Sequence, residues 1–263
     1  MNYLQALLLG ALQGVAEFLP ISSSGHLRIG QELLGLGDVP LLFDVSLHVA
    51  TLAAVVLVFR RRIAGILASL VRWIGGRAGQ DDAENLGIVI PLLAATAVTA
   101  ALGFAIKDIE VPTRIVAGLM LATAAILVAS SFLGGAAGFR DLGIPRGLAV
   151  GLAQGIGVLP GISRSGITIA AGLATGMRRE VAGEFAFLVS IPAILGALVL
   201  ELPDLGEMRA AVPAGPLALG MAVAFAVGIV SLKLLMPVVR KGKLAWFAAY
   251  LVPAGLLGLL LLP

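Results

Sequence analysis

The sequence contains no cysteine among its 263 residues, which excludes disulfide bonds, thiolate catalysis and cysteine-ligated zinc or iron–sulfur centres. Charge is also scarce, because only 13% of the residues are charged, whereas a soluble domain carries roughly 25%. So few charges could not cover a chain of this length in water, and a water-soluble fold is excluded. The net charge of +3 is better explained by arginines in cytoplasmic loops than by a nucleic-acid-binding surface. No nucleic acid is therefore expected as a partner.

Hydrophobic residues, in contrast, make up 59% of the sequence, and the mean hydropathy is +1.06. A helix needs about 20 mainly apolar residues to cross a bilayer. Six segments meet that requirement: Leu41–Phe59, Leu86–Ile106, Ile115–Leu133, Val181–Leu200, Leu217–Met236 and Leu244–Leu262. The sequence therefore predicts a single all-α integral membrane domain with six transmembrane helices.

Two shorter apolar segments are each interrupted by proline and a serine-glycine cluster. Tyr3–Leu19 is followed by the helix-compatible stretch Ser24–Leu36, and Ile144–Leu159 is followed by Ser165–Met177. Non-helical backbone at membrane depth is tolerated only where protein or a water-filled cavity surrounds it. The pattern favours two re-entrant helical hairpins, and the alternative is two ordinary spans that end in proline-containing loops.

The basic residues test this topology, because lysine and arginine near span ends concentrate on the cytoplasmic side. With six crossings and two non-crossing hairpins, twelve of the eighteen basic residues fall inside: Arg60, Arg61, Arg62, Arg72, Arg77, Arg140, Arg146, Arg178, Arg179, Arg240, Lys241 and Lys243. Four fall outside: Arg28, Lys107, Arg114 and Arg209. The chain is thus predicted to have both termini outside. The first twelve residues lack a basic leader and a small-residue cleavage pattern, so we expect them to remain in the mature protein.

An internal repeat relates the two interrupted segments. Residues 13–25 read QGVAEFLPISSSG and residues 154–166 read QGIGVLPGISRSG, an offset of 141 residues. Three predicted spans separate the two motifs, so the hairpins would enter the membrane from opposite sides. The sequence therefore predicts an inverted-topology repeat, with repeat one at 1–136 and repeat two at 137–263. In such folds the broken helices meet near the midplane and form the binding site.

Polar residues in the two hairpins are functional candidates, because an ionisable group at bilayer depth costs about 2.5–3.5 kcal/mol. The first hairpin contains Gln13, Glu17, Ser22, Ser23, Ser24 and His26, and the second contains Gln154, Ser163, Arg164, Ser165 and Thr168. Gln13 and Glu17 share a helix face and could serve one ligand or a hydrated cation. A serine-glycine turn at a helix start is suited to bind an anion. Each of these serines could instead be a simple helix cap.

The charge of Arg164 is harder to explain without a function. A guanidinium in an apolar hairpin needs an anionic partner, either Glu17 or a ligand, and its planar fork suits phosphate oxygens. Asp44 and His48 lie four residues apart on the outer half of the first span. They could hold the residues that contact the ligand in position, or form a hydrogen-bonded pair with no catalytic role.

Four motifs resemble the undecaprenyl-diphosphatase family, the bacitracin-resistance type of polyprenyl-diphosphate phosphatase: EFLPISSSGHL (17–27), FDVSLHVATLAAV (43–55), PGISRSGITI (160–169) and FAFLVSIPAILGA (185–197). The resemblance runs nearly end to end. It implies a plasma-membrane enzyme that removes the terminal phosphate of undecaprenyl diphosphate and recycles the lipid carrier of cell-wall synthesis. It also implies dependence on a divalent cation, Mg²⁺ or Ca²⁺, and an active site that faces the outside.

The resemblance also implies roles for single residues. It assigns Glu17 as the essential second carboxylate and metal contact, Ser23 as nucleophile or phosphate-binding serine, His26 as the essential histidine and Arg164 as the phosphate-binding arginine. The other hairpin residues would bind substrate: Gln13, Ser22, Ser24, Gln154, Ser163, Ser165 and Thr168. Gln13 departs from the commoner pattern, in which a first glutamate stands four residues before the second. Glutamine carries no charge, so Glu17 with substrate oxygens and water is the expected metal contact.

Two alternatives accompany this interpretation. The other lipid-phosphatase superfamily has a PSGH motif that resembles residues 23–26, but it needs a histidine downstream of a serine-arginine pair. No histidine follows Arg164 in this sequence, so that mechanism is excluded. The second alternative is a flippase for the polyprenyl phosphate, because inverted repeats with broken helices are typical of carriers. The expected partners are the polyprenyl diphosphate lipid and the membrane, and a homodimer is left open.

Overall fold

The computed structural model describes residues 1–36, 39, 41–106, 109, 111–204 and 212–261. These residues form α-helices and short connections, and their one β-type contact is an isolated bridge between Ala137 and Met177. The helices are α1 (Tyr3–Ala16), α2 (Ser23–Leu33), α3 (Leu41–Val58), α4 (Arg60–Ile74), α5 (Ala83–Leu86), α6 (Val89–Ile106), α7 (Thr113–Ser130), α8 (Gly143–Ile156), α9 (Arg164–Ala174), α10 (Arg179–Glu201), α11 (Ala214–Arg240) and α12 (Ala248–Leu261). The prediction of an all-α fold is confirmed for the described residues.

Six helices are long and apolar enough to cross a membrane, as the sequence predicted. They are α3, α6, α7, α10, α11, and α12 together with the 3₁₀ turn at Leu244–Phe247 that precedes it. Their outward faces carry large apolar side chains, such as Leu93 (60% exposed) and Leu234 (64% exposed). Such faces are stable in lipid but not in water. The chain is therefore a multi-pass membrane protein.

The two interrupted segments each form a pair of short helices. α1 ends at Ala16 and α2 starts at Ser23, with Ser22 as its N-cap. α8 ends at Ile156 and α9 follows with Ser163 as its N-cap. Both caps work alike, because the serine hydroxyl accepts a hydrogen bond from the N–H of the glycine three residues on, Gly25 or Gly166. The recurring Ser-x-x-Gly spacing thus builds the same helix start twice.

The two serine turns are in direct contact. The N–H of Gly161 donates to Ser22 Oγ over 3.0 Å. Thr123 of α7 supports this contact, because its hydroxyl donates to the Gly161 carbonyl and accepts from the Ser163 N–H, each over 3.0 Å. Gly161 has a φ of +97°, and a Cβ there would lie 2.3 Å from the carbonyl oxygen of Val116, so only glycine fits. The turns predicted to meet at the binding site therefore do meet.

Glycines let α1 pack closely on α11 and α8 pack closely on α6. A Cβ on Gly10 would lie 2.3 Å from the Gly220 carbonyl oxygen, and a Cβ on Gly14 would lie 2.8 Å from that of Ala224. On α8, a Cβ on Gly151 would lie 2.6 Å from the Ala95 carbonyl oxygen. Small residues four apart are the usual means of close helix contact in membranes. Each short helix is thereby fixed against a full span.

Replacing Gly10 by alanine is expected to lower the melting temperature of the detergent-solubilised protein by several degrees. The added methyl overlaps a backbone carbonyl that cannot move aside, and overpacking costs about 1–3 kcal/mol. Gly103→Ala is the matched control, because a Cβ on Gly103 of the α6 span meets no atom within 4 Å. Thermal unfolding of both variants checks this. Equal melting temperatures for the two would contradict the close α1–α11 contact.

One segment differs from the sequence analysis. The predicted topology makes residues 60–85, with their five arginines, a cytoplasmic loop, but they contain the fifteen-residue helix α4. Its apolar side chains recur at helical spacing and are exposed, as at Trp73 (61%) and Ile74 (72%). Its polar face pairs with the following turn, since Asp82 forms an ion pair with Arg72 and accepts from Ser69 Oγ over 2.7 Å. A search for membrane spans alone overlooks a helix of this amphipathic kind.

Two of the four basic residues predicted to face the outer side of the membrane, Lys107 and Arg209, are not among the residues that the structure describes.

Candidate active site

A single carboxylate lies at the centre of a hydrogen-bonded cluster. Glu17 directly follows α1 and is 9% exposed. Its Oε2 accepts hydrogen bonds from Gln13 Nε2 (3.0 Å) and Ser23 Oγ (2.8 Å). The same oxygen faces His48 Nε2 at 3.3 Å, while Oε1 is bound by Arg164. Residues from α1, α2, α3 and α9 therefore converge on one carboxylate.

The ion pair between Glu17 and Arg164 joins the two serine turns across 147 residues of sequence. The Glu17 side chain is 7% exposed and that of Arg164 is 22% exposed. Two such charges would be costly to bury singly, so each needs the other when no ligand is present. Arg164 is expected from the sequence to pair with Glu17 or with a ligand, and in this structure its partner is Glu17.

His48 makes a further contact with Glu17. Its Nδ1 lies 2.8 Å from the backbone oxygen of Asp44, which can only accept. Its Nε2 lies 3.3 Å from Glu17 Oε2. The His48 ring is thus held between its own helix and Glu17. The carboxylate of Asp44 does not pair with His48 but accepts from Gln31 Nε2 over 2.7 Å. Asp44 and His48 are expected from the sequence either to support the site or to form a pair with no catalytic role. The contact between His48 and Glu17 favours the first of these for His48.

The serines of the two turns differ in their tasks. Ser22 and Ser163 cap helices and are nearly fully buried. Ser165 lies 3.2 Å from Ser163, oxygen to oxygen. Ser23 is the serine whose hydroxyl donates to Glu17, and it is only half-buried. Ser23 is therefore the hydroxyl that combines a carboxylate partner with partial exposure.

The predicted residue His26 is held apart from the Glu17 cluster. Its Nδ1 lies 2.8 Å from the Ser22 carbonyl oxygen, and its Nε2 lies 2.7 Å from the hydroxyl of Tyr250 in α12. Both ring nitrogens are thus engaged within the described structure. A direct bond between His26 and Ser23, as a proton transfer between them would need, is not formed in this arrangement.

The remaining predicted residues line a narrow cavity or its wall. Gln154 is fully buried, and its Nε2 donates to Thr99 Oγ1 (3.2 Å) and to the Val189 carbonyl oxygen (3.3 Å). Its Oε1 accepts no hydrogen bond from the described residues. Thr168 donates to the carbonyl oxygen of Arg164 over 2.7 Å. The cavity beside Glu17 is lined by polar groups from both halves of the chain: Thr51, Gln154, Arg164, Ser165, Thr168 and Ser190. Ser24 lies next to Ser23 and is half-buried.

Sequence reasoning missed several polar residues at the site. Tyr250 binds His26, Thr123 bridges the second serine turn, and Gln31 binds Asp44. Tyr250 carries one readable signal, because it is one of two tyrosines in the chain and lies in an otherwise apolar span. Thr123 carries none, since threonine in a membrane helix commonly bonds only to its own backbone.

Known proteins match this chain over nearly its whole length. The family model described as bacitracin resistance protein BacA matches residues 6–257. The undecaprenyl-diphosphatase of Treponema denticola is 46% identical over 258 residues, covering 97% of this chain and 96% of that protein. Those of Desulfosudis oleivorans and Korarchaeum cryptofilum are 40% and 38% identical and cover at least 95% of each chain. With a match of this length, the chain belongs to the bacitracin resistance protein BacA family.

Proposed function

We propose that this protein hydrolyses undecaprenyl diphosphate to undecaprenyl phosphate and inorganic phosphate, and so recycles the lipid carrier of cell-wall synthesis and confers bacitracin resistance. Relatives that match over at least 95% of their length are undecaprenyl-diphosphatases. The observation that carries the proposal is the Glu17–Ser23–Arg164 cluster. It combines a hydroxyl nucleophile bonded to a carboxylate with a guanidinium suited to phosphate.

An inverted-topology repeat with two re-entrant hairpins is part of this proposal. The contact glycines support it, because Gly10 and Gly14 of α1 stand 141 residues before Gly151 and Gly155 of α8. These glycines face partner helices from the opposite half, α11 for α1 and α6 for α8. An exchange of this kind is what a two-fold relation between the halves requires. Contact between the serine turns is the further support.

We place the protein in the plasma membrane with this site open to the outer side. The support is the distribution of basic residues, which concentrates arginine and lysine at the opposite ends of the six spans. Arg62, for example, follows α3 and pairs with Glu184 near the start of α10 over 2.8 Å. The lipid diphosphate would then meet Glu17 and Arg164 from the outer leaflet.

Substrate binding is proposed to exchange the partner of Arg164. In the absence of substrate, Arg164 neutralises Glu17. A terminal phosphate carries more negative charge than one carboxylate, so we expect it to draw the guanidinium fork to itself. The backbone N–H groups of Ser23 and Arg164 can also bind the phosphate. These residues begin α2 and α9, and the first N–H groups of a helix have no acceptor within it.

The chemical step then follows from the bonds of Glu17. Ser23 Oγ attacks the terminal phosphorus, its proton passes to Glu17 Oε2, and the bond from phosphorus to the bridging oxygen breaks, so undecaprenyl phosphate leaves. Water then attacks the phosphorus of the phosphoserine and the bond from phosphorus to Ser23 Oγ breaks. Glu17 returns its proton to Ser23 Oγ, the proton that the water loses passes to solvent, and inorganic phosphate leaves. Arg164 compensates the charge on the transferring group throughout. The alternative is direct attack by water that Glu17 and Ser23 orient.

A divalent cation, Mg²⁺ or Ca²⁺, fits the oxygen atoms of this site. Gln13 is fully buried, and its Oε1 makes no hydrogen bond within the described structure. Glu17 Oε1 becomes free if Arg164 moves to substrate. Among the described residues, no group of three histidine, aspartate or glutamate side chains is arranged to hold a metal ion. Diphosphate oxygens and water would therefore complete the ligand set, as is usual for Mg²⁺. Such a cation would neutralise charge on the diphosphate.

Purified protein is expected to release inorganic phosphate from undecaprenyl diphosphate, and Glu17→Gln is expected to lower that rate about 100-fold. Glutamine keeps the size of the side chain but removes the charge and the proton acceptor. Glu184→Gln is the matched control, because Glu184 is also an acid in an ion pair but pairs with Arg62. A rate of phosphate release in Glu17→Gln equal to that of the control would refute the assignment. Transbilayer movement of the lipid without hydrolysis would instead support the flippase alternative.

A further inference from the structure

Two residues from opposite ends of the chain form a stacked and hydrogen-bonded pair. Tyr250 lies in the last span and His26 in α2, 224 residues apart in sequence. Their ring centroids are 5.6 Å apart, with an angle of 24° between the planes. The Tyr250 hydroxyl lies 2.7 Å from His26 Nε2. Stacking fixes the ring plane of His26 and the hydrogen bond fixes its direction, so this pair leaves the imidazole little freedom.

The partners of His26 determine its protonation pattern. A backbone carbonyl can only accept, so Nδ1, at 2.8 Å from the Ser22 oxygen, carries a hydrogen. In the neutral ring Nε2 is then a lone pair, and Tyr250 is the donor to it. The groups in electrostatic contact with His26 in the described structure are the Ser22 and Ile21 carbonyls and Tyr250, all of them uncharged. No neighbouring charge therefore competes with Tyr250 in setting the state of Nε2.

We propose that Tyr250 is a positioning residue, which holds the His26 imidazole in its Nδ1–H form with Nε2 bound to the phenol. The inference rests on the proposed function and deepens it, because His26 is the histidine that the family resemblance implies to be essential. Its Nδ1 is committed to the backbone, so any proton that His26 exchanges passes through Nε2. Tyr250 occupies that nitrogen, and its side chain is 48% exposed whereas His26 is 8% exposed. The phenol thus occupies the one nitrogen of His26 that can exchange a proton.

Nuclear magnetic resonance of ¹⁵N-histidine-labelled protein tests this directly. The chain has two histidines, and a His48→Gln sample assigns their signals. The full-length protein in detergent is expected to give His26 as a single tautomer with hydrogen on Nδ1. In Tyr250→Phe the ring loses the phenol, which donates to Nε2 of the neutral ring and accepts from Nε2–H of the protonated ring. Hydrogen bonds to a charged group are the stronger by about 1 kcal/mol, so we expect the protonation midpoint of His26 to fall by about 0.5–1 pH unit. Tyr3→Phe is the matched control, as Tyr3 is the other tyrosine.

Kinetics provide the second readout. If His26 acts in the proposed phosphatase reaction, the limb of the pH–rate profile that reports its protonation moves to lower pH by the same amount in Tyr250→Phe, and kcat changes more than KM. A His26 signal and a pH profile unchanged from the Tyr3→Phe control would overturn the role of Tyr250. The labelled-protein measurement needs no substrate, so a failure of the phosphatase assignment alone would leave the tautomer and midpoint result standing. Phenylalanine preserves stacking, and equal melting temperatures confirm that both variants fold.

Discussion

Replacing Ser23 by alanine is expected to lower the rate of phosphate release by at least about 10³-fold, with little change in the affinity for the lipid diphosphate. Loss of an enzyme nucleophile typically has an effect of this size. Ser23 is the serine whose hydroxyl donates to Glu17, over 2.8 Å, so alanine removes both the attacking atom and its activated state. Single-turnover and steady-state phosphate release at saturating substrate measure the change.

The matched control for this prediction is Ser131→Ala. Ser131 is also a half-buried serine, and its hydroxyl donates only to the nearby Val128 carbonyl at the end of α7. We expect its turnover to stay near that of the unmodified protein. Trapping of a phosphoserine from acid-quenched reactions with labelled substrate tests the covalent route. Substantial turnover in Ser23→Ala would remove Ser23 as nucleophile and favour direct attack by water.

The fold was largely predictable because each helix class has its own sequence signal. Full spans appear as about 20 consecutive apolar residues, and their observed bounds, such as Leu41–Val58 for α3, lie close to those predicted. Broken helices appear as apolar segments that stop at proline and resume after a serine cap. α4 escaped prediction because its apolar residues are spaced rather than continuous. A test for continuous hydrophobicity therefore finds long apolar helices but not amphipathic ones.

The site was predictable only where its residues share a motif. Glu17, Ser23 and Arg164 belong to the repeated turns, and the structure brings them together. Tyr250 reaches His26 through helix packing, which has no local sequence pattern. The spacing of Asp44 and His48 suggested a side-chain pair, yet the bond formed is to the Asp44 backbone. Spacing along one helix restricts which residues can meet, whereas packing against other helices decides which do.

Replacing Arg164 by lysine is expected to lower kcat/KM about 10²- to 10³-fold, while the protein remains folded. Lysine keeps the positive charge that Glu17 needs, so the buried carboxylate is not left alone. What lysine lacks is the planar fork that binds two phosphate oxygens at once, and arginines that stabilise phosphoryl transfer are worth about 10³- to 10⁵-fold in kcat.

Arg62→Lys is the matched control, since Arg62 pairs with Glu184 over 2.8 Å at a separate place in the fold. We expect its kinetics to stay near those of the unmodified protein, and melting temperatures of both variants test folding. The substitution of Arg164 thus separates charge from geometry. If Arg164 acts only as the counter-ion of Glu17, lysine suffices and the kinetics of the two variants agree. If Arg164 holds the terminal phosphate, only Arg164→Lys slows the reaction, because a single ammonium group cannot bind two phosphate oxygens in the fixed geometry of the fork.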